Sequence, residues 1–185
     1  KPVVVPKGVE VQVAGGEIRV KGPKGSLAQK LVHGVSVEID QASGEARVAR
    51  DSDAKRHRAL HGLYRSLLAN MVKGVTDGYA KTVRVVGTGY RVDLQGQKLT
   101  LQMSDTYADP VEFIIPQGIA AEIPKSAIRE QTDIVLSGID KQLVGETAAR
   151  IRRIRPPDLY QGKGIRYADE KVRKLAGKTF TSGGK

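Results

Sequence analysis

The chain repeats itself, in order and at a slowly drifting interval. Residues 11–22, VQVAGGEIRVKG, lie over residues 92–103, VDLQGQKLTLQM, at an offset of 81, so that Val11, Val13, Ile18 and Val20 fall on Val92, Leu94, Leu99 and Leu101, and Gly15 falls on Gly96. GVSVEID at 34–40 lies over GIAAEIP at 118–124, an offset of 84, and ARVARDSD at 46–53 lies over DIVLSGID at 133–140, an offset of 87. Three matches in register, separated by two short insertions, point to an internal duplication. A duplicated chain folds as two similar units rather than one unrelated whole.

Each copy reads as strands followed by one helix. Val11, Val13, Ile18 and Val20 alternate around Gly15-Gly16, a two-residue hairpin signal, and Val35, Val37 and Ile39 alternate again before a turn into Ala46–Val48. Leu60, Leu63, Tyr64, Leu67, Leu68, Met71 and Val72 then keep the spacing of a buried helix face. Ser52 or Asp53 is the expected cap of that helix and Gly74 its expected end. The second copy places strands at Val92–Leu94, Leu99–Leu101, Val111–Ile115, Ile119–Ile123 and Ile134–Leu136. Its helix starts from an Asp140 cap, carries Leu143, Val144, Ala148, Ile151 and Ile154 on one face, and stops at Pro156-Pro157. The expectation is an α+β protein of two similar tandem domains, 1–81 and 82–175, each an antiparallel sheet packed against one main helix. Residues 176–185, AGKTFTSGGK, are expected to form a flexible basic tail.

Charge separates the two ends. The net charge is +11, from 31 basic and 20 acidic residues; from Arg150 to Lys185 there are 11 basic and 3 acidic, which leaves 20 and 17 for the rest. Thirty-six residues thus hold +8 of the excess, the mark of a polyanion partner met by one end of the molecule. With no cysteine, disulfides and thiolate metal sites are unavailable. No run of about 18 apolar residues and no signal-peptide pattern occurs, so a soluble, intracellular protein without a membrane partner is expected.

Chemical constellations are thin. His57 and His61 have the spacing of a two-histidine metal site, but Arg56 and Arg58 flank His57 and no Glu or Cys completes the set, so surface histidines are the better reading and no metal is expected. Gly87-Thr88-Gly89-Tyr90 lacks the third glycine of a dinucleotide loop and precedes a strand pattern, so it reads as a tight turn. No nucleophile, base and orienting acid can be assembled; an enzyme, a small-molecule substrate and a cofactor are not expected.

The basic positions carry more. Lys21 and Lys24 sit in the KGPKG loop, open to phosphates, and Lys55, Arg58 and Arg65 lie opposite the first helix's apolar stripe beside Gly62 and Ala69. Arg150, Arg152, Arg153 and Arg155 crowd the last turn of the second helix, more cations than a helix dipole calls for. After them, 155–174 reads RPPDLYQGKGIRYADEKVRK, with no apolar periodicity to bury it. Gly162 and Gly164 let the backbone approach a ligand, Lys163 and Arg166 supply charge, Tyr160 and Tyr167 supply stacking or 2′-hydroxyl contacts, and Lys171, Arg173 and Lys174 extend the cationic run. This stretch is expected to look disordered until RNA folds it.

These residues also resemble a known family, protein six of the large ribosomal subunit in its bacterial form. PDLYQGKGI at 157–165 is similar to that family's C-terminal signature, with Gln161 where the family usually has lysine; VKGPKGSL at 20–27, RALHGLYRSLLANMVKGVTDGY at 58–79 and VGTGYR at 86–91 resemble its other patterns. The resemblance implies two duplicated α+β domains and a cytoplasmic, non-enzymatic structural constituent of the ribosome, without cofactor. It implies binding to 23S ribosomal RNA mainly through the C-terminal domain, near the stalk base and the factor-binding region, with other large-subunit proteins as neighbours. Tyr160, Gly162, Lys163 and Gly164 are the signature positions carried over. The alternative from the residues alone is a sequence-specific DNA-binding protein.

Overall fold

The computed structural model describes residues 2–40, 44–103, 109–124 and 130–175; the tail expected at 176–185 lies outside them. Two compact units emerge, one from Lys1–Tyr79 with Gly138–Leu143 and the other from Ala80–Ser137 with Val144–Lys185. The first unit runs β1 (Val3–Val4), β2 (Glu10–Ala14), β3 (Glu17–Gly22), β4 (Gly25–Lys30), β5 (Val35–Asp40), β6 (Glu45–Arg50) and α1 (Lys55–Thr76). Then come β7 (Tyr79–Val86), β8 (Tyr90–Gln95), β9 (Lys98–Met103), β10 (Val111–Ile114), β11 (Ile119–Glu122), β12 (Gln131–Gly138), α2 (Lys141–Ile154) and β13 (Gly164–Tyr167).

The sheets display the duplication. In the first unit the orders are β1-β6-β5 and β2-β3-β4; in the second they are β11-β12-β7-β13 and β10-β9-β8. Matching β5 with β11, β6 with β12 and β1 with β7 superposes one plan on the other, and leaves β13 without a counterpart. Registers agree with the aligned residues, since Val11 faces Val20 and Val13 faces Ile18, while Val92 faces Leu101 and Leu94 faces Leu99. The glycines of the first hairpin, Gly15 and Gly16, both take positive φ (60° and 76°), as a two-residue turn of matching twist requires. The expectation of one sheet per domain is thus refined to two small sheets per unit.

Alternation fills the cores. Ile18, Val20, Leu68 and Val75 are fully buried in the first unit, and Val83, Leu99, Ile134, Leu136, Ile151 and Ile165 in the second. Each such side chain removed from water contributes about 1.5–3 kcal/mol before ordering costs. Tyr64 is 3% exposed, and its hydroxyl donates to the Lys30 carbonyl (2.9 Å) and accepts from the Val32 N–H (3.0 Å), fastening α1 to the end of β4.

Three local expectations about α1 fail. Neither Ser52 nor Asp53 caps it: Ala54 is the N-cap with no side-chain bond, because Asp53 is engaged by Arg50 (2.9 Å) and the Ser52 hydroxyl by His57 Nδ1 (2.6 Å). Gly74 does not end the helix but lies buried within it. A side chain there would strike the Ile139 backbone of the same unit, and the positive-φ glycine that closes the helix is Gly78, whose N–H bonds the Lys73 carbonyl at 3.2 Å. Leu63 is 51% exposed. At 100° per residue it lies about 110° from the centre of the arc set by Tyr64, Leu68, Met71 and Val75, too far round to reach the sheet. On α2, by contrast, the Asp140 carboxylate accepts from the Gln142 N–H at 2.8 Å and the helix ends at Ile154, before the two prolines.

Candidate nucleic-acid interface

The stretch from Arg150 to Leu175 folds as part of the second unit. Its part from 155 to 174 was expected to bury nothing, yet Ile165 is 0% exposed and Gly162 and Gly164 are buried. The reason is pairing rather than pattern. Residues 164–167 add to the edge of β7 as antiparallel β13, Gly164 opposite Val86 and Tyr167 opposite Val83, and a four-residue strand needs only one inward apolar residue.

Between α2 and β13 the signature residues form a closed loop. The Asp158 N–H bonds the Lys163 carbonyl (2.8 Å), the Gly162 N–H bonds the Asp158 carbonyl (3.0 Å), and the Ile165 N–H bonds the Arg155 carbonyl at the helix end (2.8 Å). Asp158 Oδ2 accepts from the N–H groups of Tyr160 (3.2 Å) and Gln161 (2.8 Å). Gly162 has φ 75°, and a Cβ there would sit 3.0 Å from Lys174 Cε. Gly164 has φ 137°, and a Cβ would sit 2.7 Å from the Pro156 carbonyl oxygen. The two glycines therefore serve the loop's own packing first. Tyr160 stays 61% exposed at its tip, with Leu159 50% exposed beside it.

A second cluster holds the far side of β13. Arg152 donates from Nε (2.8 Å) and Nη2 (2.5 Å) to the two Glu170 oxygens, and Glu170 Oε2 also accepts from the Tyr167 N–H (3.2 Å). The bond from Arg152, aided by Tyr167 N–H and the nearby charges of Arg152 and Arg166, holds the Glu170 carboxyl below its usual range against the opposing effect of burial. Lys81 Nζ lies 4.2 Å from the Tyr167 ring centroid and the Arg152 guanidinium 5.6 Å from it. Arg150 pairs with Glu146 one turn back at 2.5 Å. The arginines that crowd the helix end have thus drawn two glutamates, and Arg152 and Tyr167 are spent largely on internal bonds.

Between Arg150 and Leu175, the cations that form no ion pair among the described residues are Arg153, Lys163, Lys171, Arg173 and Lys174, with Arg166 partly exposed on β13. They lie on the segment from α2 to Leu175 that carries the signature loop, and Lys174 packs beside Gly162. Arg155 is half-buried at the helix end. The remaining candidates belong to the first unit. Lys24 lies in the Pro23-Lys24 turn between β3 and β4, and its ammonium donates to the Asp77 carbonyl at the end of α1, which gives it a structural partner. Lys21, Lys55 and Arg58 are exposed and Arg65 is half-buried. His61 Nε2 lies 2.9 Å from the Val48 carbonyl, and no group of three potential metal ligands occurs among the described residues. Nor is any helix among them long and apolar enough to cross a membrane.

Sequence reasoning missed Asp158, Glu170 and Lys81. Asp158 had a local signal, an aspartate four residues before a positive-φ glycine, the composition of an Asx-type turn. Glu170 and Lys81 had none, because their partners lie 18 and 86 residues away.

A family model described as ribosomal protein L6 matches residues 5–78 and 86–168, one match to each copy of the repeat. The large ribosomal subunit protein uL6 of Carboxydothermus hydrogenoformans is 48% identical over 185 residues, all of this chain and 97% of that protein. Proteins of the same name from Rubrobacter xylanophilus and Caldicellulosiruptor saccharolyticus are 51% identical over 177 residues (96% of this chain, 95% of that protein) and 49% identical over 185 (100% and 97%).

Proposed function

The chain belongs to the ribosomal protein L6 family, and from that premise we propose that it is a structural constituent of the large ribosomal subunit that binds 23S ribosomal RNA mainly through its second unit. The observation that carries the RNA-facing part of this reading is the run of cations with no ion pair among the described residues, Arg153, Lys163, Lys171, Arg173 and Lys174, on the same segment as a loop whose backbone is already closed on itself. Arg and Lys neutralise phosphates and release counterions, while Tyr160 offers an exposed ring for a base or a ribose hydroxyl. Glycines and internal ion pairs keep the surface in one shape, which suits recognition of folded RNA by form rather than by base sequence. The stalk base and factor-binding region are the place in the subunit that the family resemblance implies, with neighbouring large-subunit proteins as further contacts in the cytoplasmic ribosome. Lys21, Lys55 and Arg58 would supply secondary phosphate contacts from the first unit.

The test is a titration of the full chain against a large-subunit rRNA fragment holding the 3′-terminal domain, at several salt concentrations, with unrelated duplex RNA and DNA as competitors. Selective binding is expected, and Lys163→Ala with Arg166→Ala should lower the salt slope by roughly 1 to 2. An unchanged slope removes those two residues from the contact. Tight, salt-resistant binding to one DNA duplex with none to rRNA would replace this function with DNA recognition.

A further inference from the structure

A carboxylate on a surface that meets a polyanion opposes binding, yet Asp158 stands near the start of the signature loop and is exposed. Its position is explained by what it holds. One oxygen, Oδ2, accepts from two consecutive backbone N–H groups, those of Tyr160 and Gln161. The main chain of the same residue closes the loop from both sides, donating to the Lys163 carbonyl and accepting from the Gly162 N–H. Asp158 is therefore bonded to every residue from Tyr160 to Lys163. Two further ties fix the loop to its surroundings, Ile165 N–H to the Arg155 carbonyl and Leu175 N–H to the Leu159 carbonyl.

We propose that Asp158 is a positioning residue, whose side-chain oxygen sets Tyr160, Gly162 and Lys163 in their RNA-binding arrangement before RNA arrives. The inference rests on the function proposed above and goes beyond it. It reverses the expectation from composition, in which RNA folds this stretch. An ordered loop enters the complex without the ordering cost of a flexible one, and that saving exceeds the Coulomb penalty of one screened negative charge. The acceptor atom matters and the charge does not.

The experiment compares the full-length wild-type chain with Asp158→Ala and Asp158→Asn in the rRNA titration, beside amide hydrogen exchange on the free wild-type chain. On charge alone, both substitutions tighten binding to RNA. With Asp158 as a positioning residue, Asp158→Ala weakens binding roughly 3- to 10-fold, the size of a lost side-chain cap. Asp158→Asn keeps a carbonyl acceptor and stays within about twofold of wild type. The salt slope is the same in all three, because the phosphates neutralised are the same. Asp158→Ala binding as well as or better than wild type overturns the proposal, and so does an equal loss in both variants, which would make the charge the essential part. If Asp158→Ala fails to fold, the exchange measurement decides: Tyr160 and Gln161 amides protected in the free chain support preorganisation, and exchange at the rate of open chain refutes it. A wild-type chain that does not prefer rRNA defeats the proposed function itself, an outcome read from the wild-type titration alone and separate from any ratio between variants.

Discussion

Gly164→Ala should destabilise the second unit more than any comparably small change on the protein's surface. The glycine has φ 137°, where a side chain is strained, and an added Cβ would stand 2.7 Å from the Pro156 carbonyl oxygen, 2.8 Å from Pro157 Cα and 3.0 Å from the Pro156 carbonyl carbon. All three are backbone atoms, so no flexible side chain can swing aside. The chain must relieve the clash by moving β13 away from the Pro156-Pro157 segment, and the next residue, Ile165, is fully buried and bonded to Arg155 at 2.8 Å. Backbone strain of about 1–3 kcal/mol and overpacking of about 1–3 kcal/mol together give a loss of about 2–6 kcal/mol. That is a large share of the ~5–15 kcal/mol by which a domain is stable. Urea unfolding with a probe in the second unit measures it, and the first unit, followed separately, should not shift. Gly62→Ala is the control: Gly62 is exposed on α1 with nothing within 4 Å of a new Cβ, and alanine there should stabilise by about 0.5–1 kcal/mol. A Gly164→Ala loss below about 1 kcal/mol would refute the packing argument, and with it the claim that β13 is locked against the proline turn.

Two leucines on one helix should behave oppositely. Leu68→Ala, at 0% exposure, is expected to cost about 2–5 kcal/mol in denaturant unfolding, whereas Leu63→Ala, half exposed, should cost no more than about 0.5 kcal/mol. The ion pairs predict a pH profile. Asp133, bonded by Arg84 at 2.7 and 2.9 Å, and Glu170, bonded by Arg152, both have carboxyl pKa values held below their ordinary ones. A carboxyl depressed on folding contributes stability that is fully present above its unfolded pKa, near 4, and is lost as pH falls through the lower folded value. The Tm gap between wild type and Asp133→Asn with Glu170→Gln should therefore be constant from pH 7 to about 5 and narrow below about 4; a gap that widens in acid would show that these pairs do not act as described.

Much of the fold was legible because it is local. Hairpins announce themselves through alternation on either side of glycine, as at Gly15-Gly16, and Asp140 and Pro156-Pro157 bound α2 by bonds and clashes within a few residues of themselves. The duplication was legible for the same reason, since two copies of one strand-and-helix plan must repeat the same periods. The errors on α1 came where a local signal met a competitor: Ser52 and Asp53 are good caps already committed to His57 and Arg50. Of the candidate site, the cationic excess and the signature positions were visible, but not which cations remain unpaired. Arg152 and Arg153 are adjacent and alike in sequence, and only Arg152 meets a glutamate.

By itself, then, the sequence determined two α+β copies, the limits of α2, and a strongly basic end, because periodicity, capping and net charge act over a few residues or need no geometry. Tertiary structure alone decided that 164–167 is a strand, that Glu170 meets Arg152, and that Gly164 is a packing residue. A strand at a sheet edge is created by its neighbour's unpaired N–H and C=O groups, and an ion pair by two distant side chains brought within bonding distance. Neither condition leaves a mark in the residues before the chain has folded.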